Sequence, residues 1–263
     1  MDLGLKGKLA VVTGPAKGMG AAVSLGFARE GADLALLGRD TAAIEPVAEA
    51  ARGMGVAAEV IRCDVTDEGA CAAAAEAALA RFGRVDILVN VAGGTGPIGK
   101  TGLETTAEEF DEIVHLNMRG PFNTIRAFAP AMVAAGGGKI VNIGGTFGMR
   151  GRAMRLSYSS SKWGLRGLTK SFALELGPSN INVNLVAPGM VDGPRFRDKV
   201  VPQVAAQYGI SEEEAAAKHA SDYALGRVST DEDVAAACLF LASDRARQIT
   251  GVDLPVDGGW AAL

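Results

Sequence analysis

The sequence predicts an α/β domain built on a doubly wound, mostly parallel sheet with helices on both faces. Seven short apolar runs alternate with Ala-rich helical stretches along the 263 residues. Those runs are continuously apolar rather than alternating, the pattern of strands buried on both sides. No Pro/Gly/Ser-rich linker and no repeat of roughly 20 to 50 residues interrupts the rhythm, so residues 1–263 read as one domain.

The strand candidates are "KLAVVTG" from Lys8, "DLALLG" from Asp33, "VAAEVIRCDV" from Val56, "VDILVN" from Val85, "KIVNIG" from Lys139, "INVNLVAPG" from Ile181 and "VDLPVDGG" from Val252. Between them the pattern predicts helices near 18–30, 41–53, 67–82, 107–135, 157–177 and 231–242. Thr66-Asp67, Thr106 and Thr230-Asp231 stand where N-caps belong, since short oxygen-bearing side chains satisfy free N–H groups of a first turn. The stretch 192–225 breaks the rhythm and reads as a long helical insertion before the last strand, the type of segment that forms a lid over a site.

Composition narrows the function. The chain is 48% hydrophobic and 21% charged, with a net charge of −4 and a pI near 5.4. An acidic surface repels phosphate backbones, so no nucleic-acid partner is expected. No run of about 18 apolar residues is present and "MDLGLKGKLAVVTG" leads straight into a strand, so neither a membrane span nor a signal peptide is expected; the expected location is cytoplasmic. Cys63, Cys71 and Cys238 form no CxxC pair and only two histidines occur, so neither a disulfide framework nor a metal site is expected.

"TGPAKGMG", Thr13 to Gly20, joins the first strand to the first helix. Gly14, Gly18 and Gly20, with Lys17 and Met19 between them, allow a tight turn and a close backbone approach to a pyrophosphate at the helix N-terminus. The second strand ends "LLGRD", with Gly38 where an acid accepts ribose hydroxyls in NAD sites and Arg39 next to it. Arg39 and Lys17 favour NADP(H). NAD(H) stays open, with Asp40 taking the ribose and both cations simply solvated.

Tyr158 and Lys162 are four residues apart and share a helix face. Taken with "TGPAKGMG", "CDV" at Cys63-Asp64-Val65, "NVAG" at Asn90-Gly93, the isolated Asn117, "YSSSK" at Tyr158-Lys162 and "PG" at Pro188-Gly189, the chain resembles the classical short-chain dehydrogenase/reductase family over nearly its whole length. The resemblance implies a Rossmann-type sheet and an oxidoreductase exchanging a hydride between NADP(H) or NAD(H) and a secondary alcohol or ketone. It implies that Asp64 and Val65 flank the adenine, that Asn90, Ala92 and Gly93 support the sheet and cofactor, and that Pro188, Gly189 and Val191 face the nicotinamide. Tyr158 is implied as general acid/base, Lys162 as the group that lowers its pKa and contacts the ribose, and Asn117 as the residue ordering a water beside Lys162. A homotetramer or homodimer is implied in the same way. Val91 departs from the family's usual "NNAG".

One departure touches the chemistry. The family's catalytic Ser lies thirteen residues before the Tyr, where this chain has Gly145. Four arrangements are open: Thr146 supplies the hydroxyl from a bulge; Ser159 or Ser160 does so from off the Tyr face; Tyr158 and a water suffice while Gly145 makes room for substrate; or a donor comes from elsewhere, down to an inactive relative. Arg150, Arg152 and Arg155 before the Tyr, and Arg195 and Arg197 after "PG", suit an anionic or CoA-linked substrate, or else a solvated or subunit-facing cluster. Met149, Met154, Phe147, Trp163 and Met190 are candidates for an apolar lining. An NAD-dependent alcohol or cis-dihydrodiol dehydrogenase, and a dinucleotide-binding regulatory protein, are the competing functions.

Overall fold

The computed structural model describes residues 2–262. Seven strands form one parallel sheet in the order β3-β2-β1-β4-β5-β6-β7: β1 Leu9–Thr13, β2 Asp33–Gly38, β3 Ala58–Arg62, β4 Ile87–Asn90, β5 Gly138–Ile143, β6 Ile181–Pro188 and β7 Asp253–Val256. The sequence suggested a mostly parallel sheet; every pairing is parallel. The chain reverses direction across the sheet between β1 and β4, the crevice where doubly wound folds bind ligands at strand C-termini.

Two apolar cores lie on the two sheet faces. On one, Val12, Leu36, Ile87 and Val186 meet Phe27 of helix α1 (Gly18–Arg29), Ile44 of α2 (Thr41–Gly53) and Val234 of α9 (Asp231–Ala242). On the other, Val11, Leu88 and Ile140 meet Ala75 of α3 (Glu68–Phe82), Phe128 of α5 (Gly120–Ala135) and Ala173 of α6 (Leu156–Leu176). Strands covered on both sides need apolar residues at every position, which explains their unbroken runs. Asp67, Thr106 and Thr230 cap α3, α4 (Ala107–Val114) and α9 through their side-chain oxygens.

The helix expected over 107–135 is interrupted. It runs as α4, a π-turn over His115–Arg119, and α5. The wider turn sets Asn117 facing inward, a device recurrent at functional sites. The 192–225 stretch carries a π-turn at Phe196–Val200, α7 (Val201–Tyr208) and α8 (Glu212–Ala220). It has a small core of its own from Phe196, Val201 and Ala215.

Candidate active site

Thr13 ends β1 and its hydroxyl accepts the N–H groups of Val91 and Ala92, each at 3.0 Å. That pair of bonds fixes the β4 turn against the glycine turn. Gly14 is in the left-handed region at φ 65°, and a side chain there would meet the Ala92 backbone at 3.0 Å. A Cβ on Gly20 would lie 2.1 Å from the Gly14 carbonyl oxygen. The cradle therefore exists only with glycine at these places, and its open side faces the N-terminus of α1, where Lys17 takes the N-cap position. Met19 packs its side chain on the core beneath. These features fit the pyrophosphate of a dinucleotide.

Arg39 and Lys17 are exposed, and Arg39 stands 3.9 Å from an Asp64 carboxylate oxygen. The other oxygen of Asp64 accepts the backbone N–H and hydroxyl of Thr66, which hold its pKa below the usual carboxylate value, with Arg39 a smaller contributor. Asp40 caps α2 by accepting the Ala43 N–H at 3.1 Å. Val65 packs against Gly120, where a Cβ would come within 2.9 Å of its side chain.

Below the cradle a buried polar relay crosses the sheet. Thr124 donates to Asn90, Asn90 to Asn142, and Asn142 to Thr169, at 2.7, 2.9 and 3.0 Å. Full pairing offsets the cost of burying these amides. Asn90 is thus a sheet-locking residue in this structure.

Tyr158, Lys162, Asn117, Gly93 and Gly145 come together. Asn117 accepts the Gly94 N–H at 2.8 Å and donates to the Gly94 carbonyl and to Ser161 Oγ, both at 3.0 Å. Ser161 in turn donates to the Tyr158 carbonyl at 2.8 Å. The Asn117 side chain therefore ties the loop after β4 to the helix that carries Tyr158 and Lys162. Lys162 Nζ donates to the Ile143 carbonyl at 2.8 Å and lies 5.7 Å from the Tyr158 ring centre. A Cβ on Gly93 would sit 3.0 Å from Asn117 Oδ1 and 3.7 Å from Lys162 Nζ. Burial lowers the Lys162 pKa to about 8.

Burial raises the pKa of Tyr158, opposed by the positive charges of Arg195 and Arg155. Its hydroxyl occupies the place of a side chain at 145: a Cβ on Gly145 would lie 2.7 Å from Tyr158 Oη. Gly145 itself is extended (φ 166°, ψ 150°), and a 3-10 turn over Thr146–Gly148 begins at the next residue, with Thr146 buried. The local backbone is thus a helical turn and not a β-bulge. Phe147 meets Tyr158 edge-on at 6.2 Å and Trp260 at 5.4 Å.

The arginines separate. Arg197 is held bidentately by Asp192, and Arg150 stacks over Trp260 at 5.2 Å. Arg152 is exposed; with Arg150, Met154 and Trp260 it lines a cavity of about 320 Å³. Arg155 is buried against Tyr158. Of the apolar candidates, Met190 packs on the 192–225 core and Met149 against Leu165 and Leu185, while Met154 and Trp163 are exposed.

Tyr223 carried no sequence signal, yet its hydroxyl accepts the Met190 N–H at 3.1 Å. Its ring continues a row through His219 at 5.8 Å to Phe196 at 5.3 Å from His219. Gly189 lies against it, since a Cβ there would reach Tyr223 at 3.2 Å and Asp257 at 2.9 Å. Val191 forms a bridge to Ser229. The Pro188–Val191 turn is therefore braced by the insertion.

Residues 14–261 match a family model described as Enoyl-(Acyl carrier protein) reductase. The chain belongs to the short-chain dehydrogenase/reductase family. Among its relatives, a 2,5-dichloro-2,5-cyclohexadiene-1,4-diol dehydrogenase of Sphingobium indicum is 36% identical over 98% of this chain and 97% of its own. D-threitol dehydrogenase of Mycolicibacterium smegmatis is 34% identical over 98% of this chain and 95% of its own. The structure of NAD+-bound xylitol dehydrogenase superposes with a TM-score of 0.91 at 30% identity, covering 97% of this chain and 99% of that one. This short-chain dehydrogenase/reductase is accordingly an oxidoreductase acting on alcohol or ketone groups with a nicotinamide dinucleotide. No helix of the described residues is long and apolar enough to cross a membrane.

Proposed function

We propose that the protein exchanges a hydride between NADP(H) and an anionic or CoA-linked secondary alcohol or ketone, with Tyr158 as the proton-transfer group. The observation that carries this reading is the convergence of the Tyr158 hydroxyl on Gly145 and of buried Lys162 on Gly93, beside a turn shaped by glycine for a dinucleotide. The bound nicotinamide supplies the hydride acceptor or donor. Tyr158 Oη takes the proton of the alcohol in oxidation and returns it to the developing alkoxide in reduction. Lys162, held by the Ile143 carbonyl, contributes a cation beside the ribose site, and Asn117 keeps the loop and catalytic helix in register.

Gly145 vacates the place that the Tyr158 phenol occupies, so Tyr158 acts with water and without a second hydroxyl; Thr146 is the competing donor. The substrate side is formed by Gly145, Thr146, Arg152 and Met190, with 192–225 as lid. Support for the lid comes from the bond of Tyr223 to Met190. The absence of an acid at Gly38 and the exposure of Arg39 and Lys17 support NADP(H). Exposed Phe122, Val133, Trp163 and Leu174 on α5 and α6 support a homotetramer or homodimer built through those helices; the location proposed is the cytoplasm.

A second reading is NAD-dependent oxidation of a diol. It is favoured by the diol and polyol dehydrogenases among the relatives and by the NAD+-bound neighbour. Nicotinamide absorbance with both cofactors, in both directions, over a panel of secondary alcohols, diols and ketones tests both. Turnover preferring NADP(H) is the expected result; tight cofactor binding without any turnover would leave a binding protein.

A further inference from the structure

Arg155 is more than nine-tenths buried, an unusual setting for a guanidinium with no carboxylate beside it. Its Nη2 donates to the Thr95 carbonyl at 3.1 Å, and its Nε is buried without any partner. The guanidinium carbon lies 4.9 Å over the Tyr158 ring and 5.9 Å over that of Phe147. Seven other arginines, Arg39, Arg52, Arg81, Arg84, Arg126, Arg166 and Arg197, pair with Asp or Glu. Arg155 takes part in no ion pair among the described residues, and burial desolvates its guanidinium. A desolvated guanidinium with a donor left over is a costly arrangement unless an anion completes it.

We infer that Arg155 binds a carboxylate carried by the substrate itself, a few bonds from the carbon that exchanges hydride. This rests on the oxidoreductase reading above and narrows it. Arg155 touches the ring of the proton-transferring tyrosine, so the anionic group must be close to the reacting C–O. A short hydroxy or oxo acid meets that requirement; the phosphates of a CoA ester, at the far end of the pantetheine arm, do not. The planar fork of Arg155 suits bidentate contact with a carboxylate.

The test is calorimetric titration of the NADP+- or NAD+-loaded protein at constant ionic strength. Acetoacetate, 3-hydroxybutyrate, pyruvate and lactate are each compared with their uncharged methyl ester. At least one acid is expected to bind tenfold or more tighter than its ester. Arg155→Met is expected to weaken that acid by about thirtyfold to a thousandfold, the scale of removing one partner of a buried charged contact. Without ligand, Arg155→Met removes a buried cation that no carboxylate neutralises, and its Tm should match or exceed that of the wild type. Equal binding of acids and esters, or an acid preference unchanged in Arg155→Met, overturns the inference. Turnover of neutral ketones without acid preference would defeat it while leaving the oxidoreductase reading intact; Arg155-dependent acid binding without turnover would do the reverse.

Discussion

Replacing Gly145 separates space from chemistry at the proton-transfer group. Gly145→Ala adds only a Cβ, and the φ of 166° is open to any residue, so the substitution carries no backbone strain. The new carbon would fall 2.7 Å from Tyr158 Oη, and relaxing this to an ordinary contact of about 3.4 Å needs a displacement of roughly 0.7 Å. Tyr158 is wedged between the Phe147 ring and the Arg155 guanidinium, so it yields only by leaving its reactive position. Misplacement by about 1 Å can cost about 10² in rate; 0.7 Å then corresponds to roughly tenfold to thirtyfold. In Gly145→Ser, the hydroxyl meets the same obstruction, and turnover stays at or below wild type. The assay is kcat/KM by nicotinamide absorbance on any alcohol the wild type oxidises, with melting curves to confirm folding. An alanine variant as fast as wild type, or a serine variant more than about tenfold faster, would refute the reasoning. The second result would mean that a missing donor, worth roughly 10² to 10³, limits the natural enzyme.

Three further outcomes are expected. Thr146→Val retains turnover within about tenfold; a loss of roughly 10² to 10³ would return the donor role to Thr146. Arg39→Asp reverses the preference for NADP(H), by about tenfold or more for loss of a charged hydrogen bond, and unchanged selectivity in steady-state kinetics would remove the NADP argument. Lys162 holds its proton less tightly in the fold, where its pKa is about 8, than in the unfolded chain, where it is near 10.4. Between those values the unfolded state binds more protons, so this residue makes stability rise with pH and penalises the fold fully below about 8. Melting temperatures of wild type and Lys162→Met from below 8 to above 10 should diverge in favour of wild type; a constant difference would show that Lys162 is not desolvated.

Much of the site was legible because its signals are local. The glycine turn, the N-caps and the shared helix face of Tyr158 and Lys162 depend on residues a few positions apart, and the backbone periods of 3.6 and 2 place them without knowledge of the rest. The break at His115–Arg119 was not legible, since its apolar periodicity runs on through α4 and α5, and the bonds from Asn117 to Gly94 and Ser161 span 23 and 44 residues. Tyr223 was invisible for the same reason, its partner Met190 being 33 residues away.

The sequence by itself determined the strand and helix content, the tight glycine turn after β1 and the shared helix face of Tyr158 and Lys162, because each follows from the conformational preferences of a short segment. Only the tertiary structure decided which of five arginines is buried beside the tyrosine, and that the phenol fills the space a side chain at 145 would take. Desolvation and close approach are set by elements brought together from Thr95, Phe147 and Arg155, and no local pattern records them.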